Sequence, residues 1–384
     1  MNTLTNDKKI NVALVGLGFG GAFAKIYRDH PNVNVIGLYD VNNELLNKSL
    51  DYTGIKVKYD SFDDILADKS IDAVHLVTPI PLHEEQTVKV LESGKHCACT
   101  VPMATTLEGL QRITDAVRKS GKNYMMMETA LYTSHFLFAK EMLKSGEFGN
   151  IQFLRGAHYQ DMEFWPDYWL GLPPMLYGTH AIAPLVVMAQ SSAKSVVCFG
   201  SGTMREELHK QYGNPYPIEC SLITFENGLV AEATRSLFET AHSYTESFNV
   251  YGSLNTFEWA QIDHEQPLKM TLQRPEDYSY RGLPVNIEHI TLPNPYETLP
   301  ESIQRYTVGS NDYDETNPQD TLKKGATGGH GGSHPHLVNE FVMSIIEERK
   351  PAVDEVLGAN ITAAGICSHM SAMQNGTRTE IPKF

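Results

Sequence analysis

Gly16, Gly18 and Gly21, with Phe19 and Gly20 between them, fit the spacing G-x-G-x-x-G directly after the apolar run 12–15. The first glycine permits a tight turn, the second lets a pyrophosphate approach the backbone, and the third lets a helix pack on a strand. Asp40 ends a second β-like run about 20 residues further on, where a carboxylate accepts hydrogen bonds from the ribose hydroxyls of an adenosine. The same carboxylate repels a 2′-phosphate, and Val41 and Asn42 supply no arginine to receive one, so NAD is expected over NADP. A glycine turn alone is common for steric reasons. The order strand, glycines, helix, strand and Asp is what points to a dinucleotide.

Histidines and aromatic residues form a second set. Tyr177 and His180 in Leu-Tyr-Gly-Thr-His are three apart, so on a helix they share a face and could share one hydroxyl. A histidine near its ordinary pKa of about 6.5 is suited to take a hydroxyl proton. His330 lies in Gly-Gly-His-Gly-Gly, a run costly to order unless the backbone must approach something closely. His334 and His336 extend it to H-x-x-x-H-x-H, but no carboxylate stands at ligand spacing, so no metal is expected. Trp165 and Trp169 follow Tyr159, Gln160 and Asp161. Aromatic faces pack on the C–H side of a pyranose while a carboxylate holds its hydroxyls. Trp165 and Trp169 fit a simple core as well. Cys97 and Cys99 alternate in a probable strand as small core residues.

The elements that must position these groups alternate β and α through the first third, the pattern of a doubly wound parallel sheet. Asn42 and Ser61 stand where helix caps are needed, and a further helix is expected from about Thr106 to Ser120. The runs 72–77, 95–100 and 123–127 are expected as buried strands, and the loops after them carry Thr78 and His83, Thr100 and Pro102, and Glu128 with Tyr132. Ligands of open α/β sheets bind at the carboxyl ends of strands, so these residues are candidate cofactor contacts, with Tyr132 on the substrate side. From 151 onwards several β-like runs follow without helices between them, and Asn227-Gly228 signals a hairpin. The expected architecture is α/β: an N-terminal Rossmann domain over 1–128 and an α+β domain over 129–384 with an open, mainly antiparallel sheet. The stretch 261–332 reads as a long loop excursion, and helices are expected over 335–348 and 356–375.

At 384 residues two domains are the default. A net charge of −15 argues against nucleic acid or an anionic membrane as partner, leaving a small molecule. Residues 1–9 lack the apolar core of a signal peptide, so a cytoplasmic location is expected. Five cysteines without C-x-x-C spacing exclude a disulfide framework or zinc ribbon as the default.

Taken together, Gly-Leu-Gly-Phe-Gly-Gly, Thr78-Pro79 with His83, Gly94-Lys95-His96 before a strand, and the C-terminal antiparallel domain resemble the Gfo/Idh/MocA oxidoreductases. The resemblance implies an NAD(P)-dependent enzyme acting on sugars, inositols or glycosides, and an oligomer paired through the open sheet. The common Glu-Lys-Pro is Thr100-Val101-Pro102 here, and the Asp one turn before the catalytic His is Leu176. Thr-Val-Pro-Met-Ala, Met126-Met127-Glu128-Thr129 with Tyr132, Leu-Tyr-Gly-Thr-His and Gly-Gly-His-Gly-Gly are similar to a branch containing NAD-dependent α-N-acetylgalactosaminidases and related glycoside 3-dehydrogenases. The resemblance implies oxidation of a ring hydroxyl at C3, with His180, Tyr177 and His330 as catalytic groups. A glycosidase then eliminates the C1 substituent, whereas a dehydrogenase stops at the 3-keto glycoside. Tyr159, Asp161, Trp165, Trp169 and His334 would line the sugar. A sensor that retains the fold without turnover is the remaining reading.

Overall fold

The computed structural model describes residues 8–166, 170–262, 265–277 and 281–384. The chain divides into two compact units. One comprises Met1–Tyr132 and Asn294–Ala359 with Phe384; the other comprises Thr133–Pro293 and Asn360–Lys383.

The first unit begins with β1 (Ile10–Val15), α1 (Gly21–Asp29), β2 (Val33–Tyr39), α2 (Asn43–Thr53), β3 (Val57–Lys58) and α3 (Phe62–Ala67). It continues with β4 (Ala73–Leu76), α4 (His83–Glu92), β5 (His96–Cys99), α5 (Leu107–Ser120) and β6 (Tyr124–Met126). The sheet order is β3-β2-β1-β4-β5-β6 with every pairing parallel. The central strands β1 and β4 are apolar apart from Asn11 and His75, as suits strands covered by helices on both faces. Side chains of Asn42 and Ser61 accept from backbone N–H groups at the starts of α2 and α3, as expected, and Thr106 does the same at the start of α5. Leu337, Val338, Phe341 and Val342 of the helix Gly329–Ile346 join Phe23 and Tyr27 of α1 in one buried apolar cluster.

The second unit opens with α6 (Ser134–Lys144), β7 (Ile151–Tyr159), α7 (Thr179–Ala189), β8 (Ala193–Ser201), α8 (Glu206–Tyr212), β9 (Ile218–Phe225), β10 (Val230–Ser236) and β11 (Thr245–Gly252). It adds β12 (Asn255–Glu258), β13 (Leu268–Leu272), β14 (Val285–His289) and β15 (Thr379–Glu380). These form a nine-stranded sheet in the order β14-β13-β12-β11-β7-β10-β9-β8-β15. It is antiparallel except where β10 lies parallel to β7. Helix α7 packs directly on β7: a Cβ at Gly156 would strike the Ala181 carbonyl, so glycine is what allows the two backbones to approach.

Three expectations need correction. The supposed loop excursion 261–332 contains the strands β13 and β14; β14 is exposed along its whole length and so carries no alternation to read. From Asn294 the chain returns to the first unit. The glycine-histidine run begins a helix in which His330, Gly331 and Gly332 all take left-handed φ, so the helix is kinked there. No helix among the described residues is long and apolar enough to cross a membrane.

Candidate active site

In the first unit the glycine loop follows β1. Gly16 has φ +87° and a Cβ there would collide with the Val77 carbonyl, so the fold itself demands glycine. At Gly18 and Gly21 a Cβ would meet no protein atom within 4 Å, so packing does not explain those glycines. Room for a phosphate beside the backbone does. Helix α1 also starts without a side-chain cap, unlike α2, α3 and α5; its Gly21, Ala22 and Phe23 N–H groups already donate to the Leu17, Phe19 and Gly20 carbonyls, so what it offers an anion is its positive dipole end. The Asp40 carboxylate accepts from the Leu17 and Asn42 N–H groups, both at 2.7 Å, which fixes it beside the glycine loop with further lone pairs for ribose hydroxyls. This donor set fits NAD.

The loops after β4 and β5 are joined by His83, which is fully buried. Its Nδ1 and Nε2 lie 2.8 Å from the Pro102 and Thr78 carbonyls, and the Thr100 hydroxyl is 3.5 Å from Nε2. Burial pulls its pKa down, while the two carbonyls favour the cation. A neutral ring can donate to only one of them. His83 therefore acts as a clamp between loops. The Thr78 hydroxyl donates to Gln86 Oε1 at 2.6 Å. Buried Glu128 accepts from the Ala130 N–H at 3.0 Å and caps the turn Thr129–Leu131. Burial raises the pKa of the Tyr132 phenol, which stays protonated.

His330 and His334 also belong to this unit. Phe19 of the glycine loop, 47 % exposed, meets both rings edge-on at centroid distances of 5.7 and 5.5 Å. His334 itself is buried against Phe23.

The second unit holds a separate polar cluster of His158, Tyr177, His180, Arg235, Tyr244 and Glu246. Strand register explains its assembly. His158 of β7 pairs with Arg235 of β10 on one side and with Glu246 of β11 on the other, so three adjacent strands present these side chains on one face. Tyr177 ends the short turn Pro174–Tyr177 and His180 lies in the first turn of α7, so the two are not on one continuous helix as expected. Their rings still meet edge-on at 5.5 Å. His180 Nε2 lies 3.9 Å from Glu246 Oε1, and both side chains are buried. Tyr244 donates to the same Glu246 oxygen. The His158 ring sits 5.2 Å from that of His180 and 5.3 Å from that of Tyr244.

Arg235 is fully buried, and its guanidinium donates to the Tyr177 carbonyl at 3.0 Å, the His158 carbonyl at 3.2 Å and Gln160 Oε1 at 2.8 Å. Burial lowers its pKa to about 10, so it remains a cation at neutral pH. Its role is to hold the backbone of both aromatic partners and to balance Glu246 within the cluster. Burial and then the Glu246 charge raise the pKa of Tyr244, which keeps it a donor. His158, His180 and Glu246 offer ligand atoms within 4.8 Å of one another, the one group among the described residues with metal-binding spacing. The same spacing serves to share a proton.

Other candidates lie apart from this cluster. Tyr159 follows His158 on β7 and so points to the opposite face of the sheet, where it stacks on His242 at 4.5 Å. Asp161 accepts from the backbone N–H groups of Glu163 and Glu239, both at 3.0 Å. Trp165 is 42 % exposed, and Trp169 lies outside the described residues. Sequence reading missed His158, Arg235, Tyr244 and Glu246. No local signal singles them out: β10 reads Val-Ala-Glu-Ala-Thr-Arg-Ser, with Glu232, Thr234 and Ser236 beside Arg235.

Residues 10–128 match the Gfo/Idh/MocA family model, described as an oxidoreductase family with an NAD-binding Rossmann fold. A glycosyl hydrolase family 109 protein of Porphyromonas gingivalis is 30% identical over 178 residues, covering 42% of this chain and 36% of that one. A glycosyl hydrolase family 109 protein 1 of Phocaeicola vulgatus is 23% identical over 355 residues, covering 84% of this chain and 73% of that one. Among solved structures, a levoglucosan dehydrogenase in complex with NADH and levoglucosan superposes with a TM-score of 0.77 at 19% identity, covering 98% of this chain and 100% of that one. A myo-inositol 2-dehydrogenase from Lactobacillus plantarum gives 0.71 at 17%, with 98% and 100% covered. At such identities the structures establish the fold alone. Residues 10–128, with the glycine loop and Asp40, therefore carry the NAD-binding Rossmann fold that the Gfo/Idh/MocA oxidoreductase family model describes.

Proposed function

We propose that this protein is an NAD-dependent oxidoreductase that oxidises a ring hydroxyl of a sugar or glycoside, at C3 of a pyranoside, to the 3-keto product. The observation that carries this reading is the buried His180–Glu246 pair with Tyr177, Tyr244 and His158 around it, in a chain whose other unit binds a dinucleotide. Bound NAD supplies the hydride acceptor. Hydride cannot leave a carbinol that keeps its hydroxyl proton, so a base is required. His180 takes that proton, and Glu246 stabilises the imidazolium that results. Tyr177, beside His180, hydrogen-bonds the same substrate hydroxyl and orients it. Tyr244, held protonated, fixes the Glu246 oxygen that faces His180. His330, beside Phe19, and the exposed Trp165 are proposed as sugar contacts, and the C3 position follows from the motif resemblance to the glycosidase branch.

The relatives named glycosyl hydrolase family 109 favour a second reading, in which the oxidation is transient. A 3-ketone acidifies the C2 hydrogen, a base removes it, the C1 substituent leaves, water adds and the hydride returns. His158, whose ring lies 5.2 Å from that of His180, is the candidate second base.

His180→Ala tests both readings. It should abolish hydride transfer to NAD from any glycoside while NADH binding, followed by fluorescence, stays near wild type. Turnover at the wild-type rate would remove His180 from the mechanism.

A further inference from the structure

The chain carries 31 Lys and Arg against 46 Asp and Glu, yet one cavity reverses that balance. It lies at the amino ends of β1, β4, β5 and β6, the edge of the sheet opposite the glycine loop, and encloses about 490 Å³. Five lysines line it, Lys8, Lys9, Lys69, Lys95 and Lys122, against two carboxylates, Asp72 and Glu348. Both carboxylates are already engaged: Glu348 pairs with Lys8 at 2.9 Å, and Asp72 accepts from the Asn11 N–H at 2.8 Å.

Lys95 is the central observation. It is only 2 % exposed, and among the described residues no carboxylate lies within ion-pair distance of its ammonium. Asp68, the other carboxylate that attracts it, holds the Tyr59 hydroxyl and Ser70. Lys69 and Lys122 repel it, and burial and this repulsion together depress its pKa. Lys95 lines the cavity, and the like charges beside its ammonium are offset when an anion sits there.

The carboxyl ends of α3, α4 and α5 converge on this edge and account for part of the charge, at about half an elementary charge each. The helix Gly329–Ile346 brings a fourth carboxyl end, its Ser344 and Ile345 lining the cavity, so two carboxylates and four helix ends leave a surplus of about one positive charge against five lysines. His96 adds a directed donor. Its Nδ1 accepts from the Asn123 N–H at 2.9 Å, so a neutral ring carries its proton on Nε2.

We infer that this cavity binds a small, multiply charged oxyanion of the phosphate-bearing class, held by Lys95 with Lys69 and Lys122. The volume falls in the range of small-molecule sites, about 300–1,000 Å³, which suits a metabolite. Ammonium groups bind such anions as point charges without demanding one geometry.

The test is calorimetric titration of inorganic pyrophosphate into the full protein with saturating NADH present, so that the glycine loop is already occupied, against sodium chloride at equal ionic strength. Saturable binding at one site is expected, weakened about tenfold or more by Lys95→Met. Methionine fills the same volume without the charge, and Lys122→Gln gives a second reading should Lys95→Met fail to fold. The absence of binding at millimolar pyrophosphate would overturn the inference. So would binding that neither variant weakens; the lysines would then serve only to neutralise helix ends.

Discussion

Replacing Glu246 by Gln removes one charge and little else. The amide oxygen can still accept from Tyr244, and volume is conserved, so the cluster should keep its shape. What disappears is the attraction between the carboxylate and the imidazolium formed when His180 takes the hydroxyl proton. At the 3.9 Å separation of Nε2 and Oε1 and an effective dielectric constant of about 20, that attraction is about 4 kcal/mol. The solvation that the carboxylate no longer forfeits offsets part of it, leaving a loss of about 1.5–3 kcal/mol, or roughly ten- to a hundredfold in kcat/KM. Steady-state NADH formation against pH is the assay. Without the negative charge the imidazolium is less favoured, so the acid limb of the profile should move to lower pH while the plateau falls. NADH affinity should not change, because Glu246 belongs to the other unit. A kcat/KM within a factor of about two of wild type, with an unmoved acid limb, would refute the claim that this carboxylate supports the base.

Asp40→Ala removes the acceptor for the ribose hydroxyls and for the Leu17 and Asn42 N–H groups, and should weaken NAD binding about ten- to a hundredfold in a fluorescence titration. Acid should destabilise the first unit through buried neutral histidines. Burial depresses the pKa of His75 to about 3 and of His30 to about 4, below the unfolded value of about 6.5. Their contribution is therefore complete above pH 6.5 and is lost as pH falls towards those values, at about 1.4 kcal/mol per pH unit for each. The Tm should be flat from about pH 7 to 8 and fall below about 6; a Tm that rises on acidification contradicts this. Turnover should survive EDTA, whereas added Zn²⁺ should inhibit by occupying His158, His180 and Glu246; loss of activity on chelation, restored by metal, would reverse the assignment of that trio.

The dinucleotide half was legible because its constraints are local. Gly16 needs a positive φ, α1 needs to start without a side-chain cap, and Asp40 must end β2; each requirement is met within one βαβ stretch. The helix caps at Asn42 and Ser61 were equally readable, as each acts within three residues. The polar cluster was only half legible. Tyr177 and His180 are sequence neighbours, but His158, Arg235 and Glu246 meet through strand register across β10, β7 and β11, and register is set by long-range pairing that composition does not encode. The run around His330 suggested a close approach of the backbone, and Gly328 and Gly332 do lie against the Thr307 carbonyl, while the His330 ring meets Phe19 edge-on. The edge strand β14 and its neighbour β13 escaped notice because β14 is solvent-facing along its length and β13 is half-buried throughout, so neither shows an apolar alternation.

The central claim is hydride transfer between a sugar ring and NAD. It is tested most directly by incubating the purified protein with NAD and a panel of nitrophenyl glycosides while recording NADH absorbance and nitrophenol release together. The account predicts NADH accumulating with the aglycone still attached on at least one glycoside, the signature of a 3-dehydrogenase. Nitrophenol released at catalytic NAD without NADH build-up would assign the net reaction to redox-assisted hydrolysis instead. Tight NADH binding with neither signal across the panel would contradict the account and leave a sensor of cofactor and sugar.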